Sequence, residues 1–159
     1  MTAYENAREA IPKGLAGHLG VKVIRGNQTA PAPAYDYVSY NVITPVAEFG
    51  GTYSEAEDGS YYRAILQTWS FTVHSDDDSR AVALGMKMLD YFTAAGLTQL
   101  ADSGVTVRRV TGLTQRDNFI TTQYEYRKGL DVTFGLLHTI TPENMPFDDV
   151  IETAEIKEE

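Results

Sequence analysis

The sequence predicts an α+β domain, a mixed and mostly antiparallel β-sheet packed by one long and one short α-helix. Three observations carry this prediction. Apolar residues recur at helical spacing over 79–95, directly after an acidic run suited to a helix start. Two-residue alternation of apolar and polar side chains runs through 35–44, 62–74 and 121–140. No internal repeat divides the 159 residues, a length that suits one domain.

Taken in order, segment 3–15 opens with Ala3, Ala7, Ala10, Ile11 and Leu15 on neighbouring helical turns, and Thr2 with Glu5 resembles a capping box. Pro12 removes a backbone donor, so this helix is expected to end or kink near Ile11, with Gly14 and Gly17 finishing the break. The β-branched run at 21–25 predicts a short strand, and 26–34, with Asn27, Pro31 and Pro33, an extended loop. In the strand predicted at 35–44, Val38, Tyr40 and Val42 face one way, Ser39 and Asn41 the other, and Pro45 is expected to end it. Residues 47–60, with Gly50, Gly51, Glu55, Glu57, Asp58 and Gly59, read as a solvated loop or hairpin extension.

The strand at 62–74 sets Ile65, Trp69, Phe71 and Val73 against Ala64, Thr68, Ser70 and Thr72 on its other face. Residues 75–78 match a capping box with Asp in the Glu position. In the helix that follows, Ala81, Leu84, Met88, Phe92 and Ala95 make one stripe, widened by Val82, Met86 and Leu89, and Gly96 suits the position just past its end. Residues 97–104 have room for one more turn. A strand at 105–110 carries Arg108 and Arg109, and 112–119 reads as a polar connection. The alternation at 121–140 places Tyr124, Tyr126, Leu130, Val132, Phe134 and Leu136 opposite Gln123, Glu125, Arg127, Asp131 and Thr133. Gly129 marks a candidate bend or bulge in this over-long strand, and Gly135 a second weak point. The chain thus divides into a domain at 1–140 and an acidic tail at 141–159. That tail is expected to be disordered alone or to dock on a neighbour through Met145, Phe147, Val150 and Ile151.

Composition narrows function mainly by exclusion. The absence of cysteine rules out disulfides, thiolate metal sites and a cysteine nucleophile. A net charge of -9 argues against electrostatic capture of nucleic acid, while an acidic wall would let a phosphate backbone pass without sticking. The N-terminal residues lack the basic and apolar regions of a signal peptide, and no stretch approaches ~20 apolar residues, so cytoplasmic synthesis and no membrane partner are expected.

The search for chemistry assigns no catalytic, cofactor-binding or metal-ligating residue. His18, His74 and His138 have no ligand-type spacing and read as ordinary surface or sheet-edge histidines. Asp76, Asp77 and Asp78 suit helix capping better than a cation site, and Glu55, Glu57 and Asp58 suit a solvated loop. Gly50-Gly51 and Gly14–Gly17 fail as phosphate loops, and no nucleophile elbow is present. Arg108, Arg109, Arg116, Arg127 and Lys128 form either a nucleic-acid surface or, preferred here, partners for the many carboxylates. Tyr35, Tyr37, Tyr40, Tyr61, Tyr62, Tyr124 and Tyr126 suit both an interface and cross-strand packing.

Four segments in this order carry a family resemblance: Val23-Ile-Arg-Gly-Asn-Gln-Thr-Ala-Pro, Tyr37-Val-Ser-Tyr-Asn-Val-Ile-Thr-Pro, Gln67-Thr-Trp-Ser-Phe and Tyr126-Arg-Lys-Gly-Leu-Asp-Val-Thr-Phe. With the order of elements over residues 4–140, the chain resembles the phage neck and tail terminator proteins. The resemblance implies a non-enzymatic virion protein, a homo-oligomeric and typically six-fold ring at the phage neck. Such a ring caps the tail tube, joins the head-side connector and lets DNA pass through its lumen without sequence-specific binding. It implies no catalytic residue and no cofactor. The alternatives are another head–tail joining or tail-tube-like part, or a monomeric ligand-binding domain using the tyrosine-rich face.

Overall fold

Small and apolar side chains spaced four apart build the first element, α1 (Ala3–Leu19), in a computed structural model that describes residues 2–27, 29–49, 52–120 and 123–141. Thr2 caps it: its hydroxyl accepts the Glu5 amide at 3.2 Å, and the Glu5 carboxylate accepts the Thr2 amide at 2.9 Å. The helix does not stop near Ile11. It runs through Pro12 to a left-handed cap at Gly20. Ala7, Ile11, Leu15 and Leu19 form one buried stripe. Burying Leu15 and Leu19 contributes about 2 kcal/mol each, which outweighs the ~3 kcal/mol cost of an interior proline.

The sheet is mixed and mostly antiparallel, as the alternation predicted. β1 (Lys22–Arg25) runs parallel to β2 (Tyr37–Phe49). The rest of the path is antiparallel: β2 on β4 (Tyr61–Ser75), β4 on β8 (Gln123–Ile140), and β8 on β5 (Val105–Val110). β2 continues past Pro45 instead of ending there. The register with β4 shifts between Val42 and Thr44 and again between Thr44 and Glu48, and such an irregularity tolerates a residue without a donor. A two-residue strand, β3 (Ser54–Glu55), pairs with Tyr61 and Tyr62 at the start of β4, so the later part of the expected 47–60 loop is a short hairpin, 47–49 belong to β2, and Gly50 and Gly51 lie outside the described residues.

The expected polar connection at 112–119 contains two short strands, β6 (Thr114–Gln115) and β7 (Asn118–Ile120). β5 covers β8 only from Val132 to Leu136, and β6 and β7 take the remaining edge toward Gln123. β4 and β8 stay in unbroken register from Tyr61↔Ile140 to Ser75↔Tyr126, so Gly129 is neither bend nor bulge. It is a crossing point, because a Cβ there would lie 2.5 Å from the Arg116 guanidinium.

The helical segment after β4 departs from the sequence expectation at both ends. The cap of α2 (Asp78–Asp90) is Asp77, whose carboxylate accepts the Arg80 amide at 3.2 Å. Ser75 instead donates to Asp36 at 2.6 Å and accepts the Asp77 amide. α2 passes into a π-helical turn, Tyr91–Ala95, and then into α3 (Leu97–Asp102). The wider turn changes the phase of the stripe. Tyr91 and Phe92 are both buried, Ala95 is exposed, and Val82 and Met86 also face outward. Gly96 is not a left-handed cap, with φ at -96; a Cβ there would strike the Tyr91 ring at 2.5 Å.

All three helices lie on one sheet face. Trp69, fully buried, stacks on Tyr40 at 5.3 Å and meets Phe134 edge-on at 5.6 Å, while Phe71 contacts Phe92 at 4.7 Å. The Trp69 indole donates to Gln67 at 3.1 Å, so the polar atom of this buried ring is satisfied. The acidic tail expected at 141–159 lies, apart from Thr141, outside the described residues.

Candidate functional site

Because neighbours along a strand point to opposite faces, the residues between those core positions meet on the helix-free side. There β2 supplies Tyr37, Ser39 and Asn41, β4 supplies Thr72 and His74, and β8 supplies Glu125 and Arg127. With Lys22 and Ile24 of β1 and the 30–33 loop, most of these line a cleft of about 590 Å³.

His74 organises this end of the sheet. Its Nε2 accepts from the Ser39 hydroxyl at 2.8 Å, and its Nδ1 donates to the Glu125 carboxylate. Arg127 donates to the second oxygen of Glu125 at 3.0 Å, and Tyr37 stacks flat on the imidazole with ring centres 4.5 Å apart. His74 is therefore no ordinary surface or sheet-edge histidine; it is 7% exposed and bonded through both ring nitrogens. Burial pushes its pKa down, outweighing the upward pull of Glu125, so the ring is neutral near pH 7. Burial alone would raise the Glu125 carboxyl, but the hydrogen bonds from Arg127 and His74 outweigh it and hold the group below the usual carboxylate range.

Ser39, His74 and Glu125 follow the order of a nucleophile, base and orienting carboxylate. Acyl transfer also needs donors aimed at the developing oxyanion. Ser39 sits inside the sheet, in register with Ile24 on one side and Thr72 on the other, so the strand that carries it has its backbone amides committed to two ladders. The arrangement ties three strands together, with the backbone of Ser39's own strand engaged in the sheet on both sides.

The other sequence candidates are dispersed. His18 packs on Tyr91 at 5.3 Å, and His138 lies near Tyr53 at 6.4 Å. The three aspartates serve the helix start: Asp77 caps it, Asp76 pairs with Arg80, and Asp78 pairs with Lys128 at 3.0 Å. Asp58 closes a turn by accepting from the Ser60 amide and hydroxyl. Arg116, Arg127 and Lys128 pair with carboxylates as preferred from the sequence. Arg116 reaches Asp131 at 3.1 Å and also donates to Ser70 and Thr72, and Lys128 reaches Asp117 at 2.8 Å. Arg108 and Arg109 are exposed. Among the tyrosines, Tyr37 and Tyr40 pack across strands, while Tyr35 is 40% exposed.

Sequence reasoning missed the Ser39–His74–Glu125 line because its members are 35 and 51 residues apart. The usable signal was parity: each lies on the polar face of its own strand. Among the described residues, no cluster suits a metal ion and no helix is long and apolar enough to cross a membrane.

These features define a small α+β protein whose sheet is dry and aromatic on one face and carries a charged, hydrogen-bonded cleft on the other. Residues 9–159 match the family of phage neck terminator proteins, and the chain belongs to that family. The resemblance read from its four segments is thereby borne out, and the protein is a structural component of the phage neck. No curated protein matches the chain. Among solved structures, a chain from the virion of a native gene transfer agent particle is similar at 14% identity and a TM-score of 0.34, over 87% of this chain and 92% of that one.

Proposed function

We propose that the protein assembles into a closed ring, six-fold, that terminates the tail tube and joins it to the head-side connector. DNA passes through its lumen. The observation that carries this reading is the family match over nearly the whole chain. The -9 charge supports a channel that DNA crosses without being held. Residues 1–140 form the ring body, and 141–159 dock on a neighbouring subunit. The role is non-enzymatic, made in the host cytoplasm and carried out in the virion.

Light scattering after size exclusion, with negative-stain imaging, tests the ring. Six copies of a 17.6 kDa chain give a particle of about 106 kDa with a central hole. A strict monomer, both alone and in the presence of purified tail tubes, would overturn the reading.

A further inference from the structure

Charge is unevenly distributed along this chain. Residues 142–159 hold seven acidic side chains against Lys157, a net of -6 out of the whole chain's -9. The body is thus only mildly acidic, and its cleft is locally basic. Lys22, Arg25 and Arg127 line the cleft, and among the described residues no carboxylate does. Arg127 is partly neutralised by Glu125, but Lys22 and Arg25 are exposed and have no ion pair among the described residues. The rest of the wall includes apolar Ile24 and the Ala30-Pro31-Ala32-Pro33 run.

We propose that this cleft receives the acidic C-terminal segment of a second copy of the chain. Phe147, Val150 and Ile151 would pack on the proline-rich wall, and Asp148, Asp149 and Glu152 would face Lys22 and Arg25. The match is double, because the segment alternates acids with apolar residues and the cleft alternates cations with an apolar wall. Geometry favours a neighbour's tail over the chain's own. The cleft lies at the Arg127 end of β8, and the chain leaves the sheet at Ile140. Those ends are about 43 Å apart at ~3.3 Å per residue. Doubling back over that distance would consume most of the roughly 63 Å that the 19 residues after Ile140 span when extended at ~3.3 Å each. A tail leaving one end of a subunit and a cleft at the other make a heterologous contact, the type that closes rings. The proposal deepens the ring reading and rests on copies meeting side by side.

Because the chain has no cysteine, single cysteines report contact cleanly. Full-length Ala32→Cys, at the cleft wall, is mixed with full-length Thr153→Cys under mild oxidation. Met86→Cys, exposed on α2, replaces Ala32→Cys as the control. We expect a disulfide-linked dimer at least about five-fold above the control, falling several-fold between low and high salt as screening weakens it. Adding Lys22→Glu and Arg25→Glu to the Ala32→Cys chain, with an unchanged circular dichroism spectrum, should return the yield to control level. Cross-linking no better than the control overturns the proposal. So does a predominantly intrachain disulfide in the Ala32→Cys/Thr153→Cys double variant, which would put each tail in its own cleft. Loss of duplex-DNA retention with undiminished cross-linking in the charge-reversed chain would assign the cations to phosphates, and overturns it too. Light scattering on the same samples separates the two readings: rings without cross-links sink this inference alone, and cross-links without rings sink the ring alone.

Discussion

The two faces of one sheet differ in what holds them. On the helix side, Trp69, Phe71, Phe92, Phe134 and the α1 stripe interlock with almost no polar atoms to satisfy. On the open side, the same strands present Ser70, Thr72 and Asp131, which accept from Arg116 of the connection after β6, a Thr68–Thr133 hydroxyl pair, and the His74 network at the cleft. The contrast teaches that alternation builds both layers at once. A mutation's cost should therefore depend on strand parity more than on position along the chain.

The largest expected effect breaks the dry face. Trp69→Ala should lower the unfolding free energy by about 3–5 kcal/mol in urea titrations, and a loss under 1 kcal/mol would show that this face is not the principal core. On the open face, Arg116→Ala removes charge-assisted bonds from a partly exposed group, and about 1–2 kcal/mol is expected by the same measurement. Asp77→Ala tests the observed helix start and should cost about 1 kcal/mol, whereas Asp78→Ala should not show a capping loss. The next prediction sharpens the reading of the cleft: a serine-directed fluorophosphonate should leave Ser39 unlabelled by mass spectrometry, because the backbone of its strand is engaged in the sheet on both sides.

The smallest effect is a slope with pH. The folded-state pKa of His74 lies below its ordinary 6.5, so the unfolded chain binds the proton more readily. The stability that the neutral ring contributes is present above pH 6.5 and is lost as pH falls through the folded value. His74→Gln should flatten thermal stability against pH over that window, measured by calorimetry. An unchanged slope would remove His74 as its source.

Much of the sheet was legible in the sequence. The alternation read in 35–44, 62–74 and 121–140 identified the strands now seen as β2, β4 and β8 and their inner faces, because side-chain period is a local property. Helix extents were not. Pro12 lies inside α1 because Leu15 and Leu19 find a sheet to pack on, and the turn at Tyr91–Ala95 changes phase around Tyr91 and Phe92. Both outcomes depend on partners that local sequence does not name. The cleft was illegible for a further reason: Ser39, His74 and Glu125 meet only once the strand order β2-β4-β8 is known.

Pro45 has a consequence for the protein before it is assembled. β1 covers β2 only from Tyr37 to Tyr40, so among the described residues the far half of β2 has no ladder on its outer edge, and Ile43 and Val46 are both 51% exposed there. A flat apolar edge of that length is a template on which free copies would stack into open fibrils. A residue with no amide hydrogen, set between two slips of register, interrupts the template halfway. The proline that failed to end the strand thus breaks the row of amides on which an added strand would have to pair.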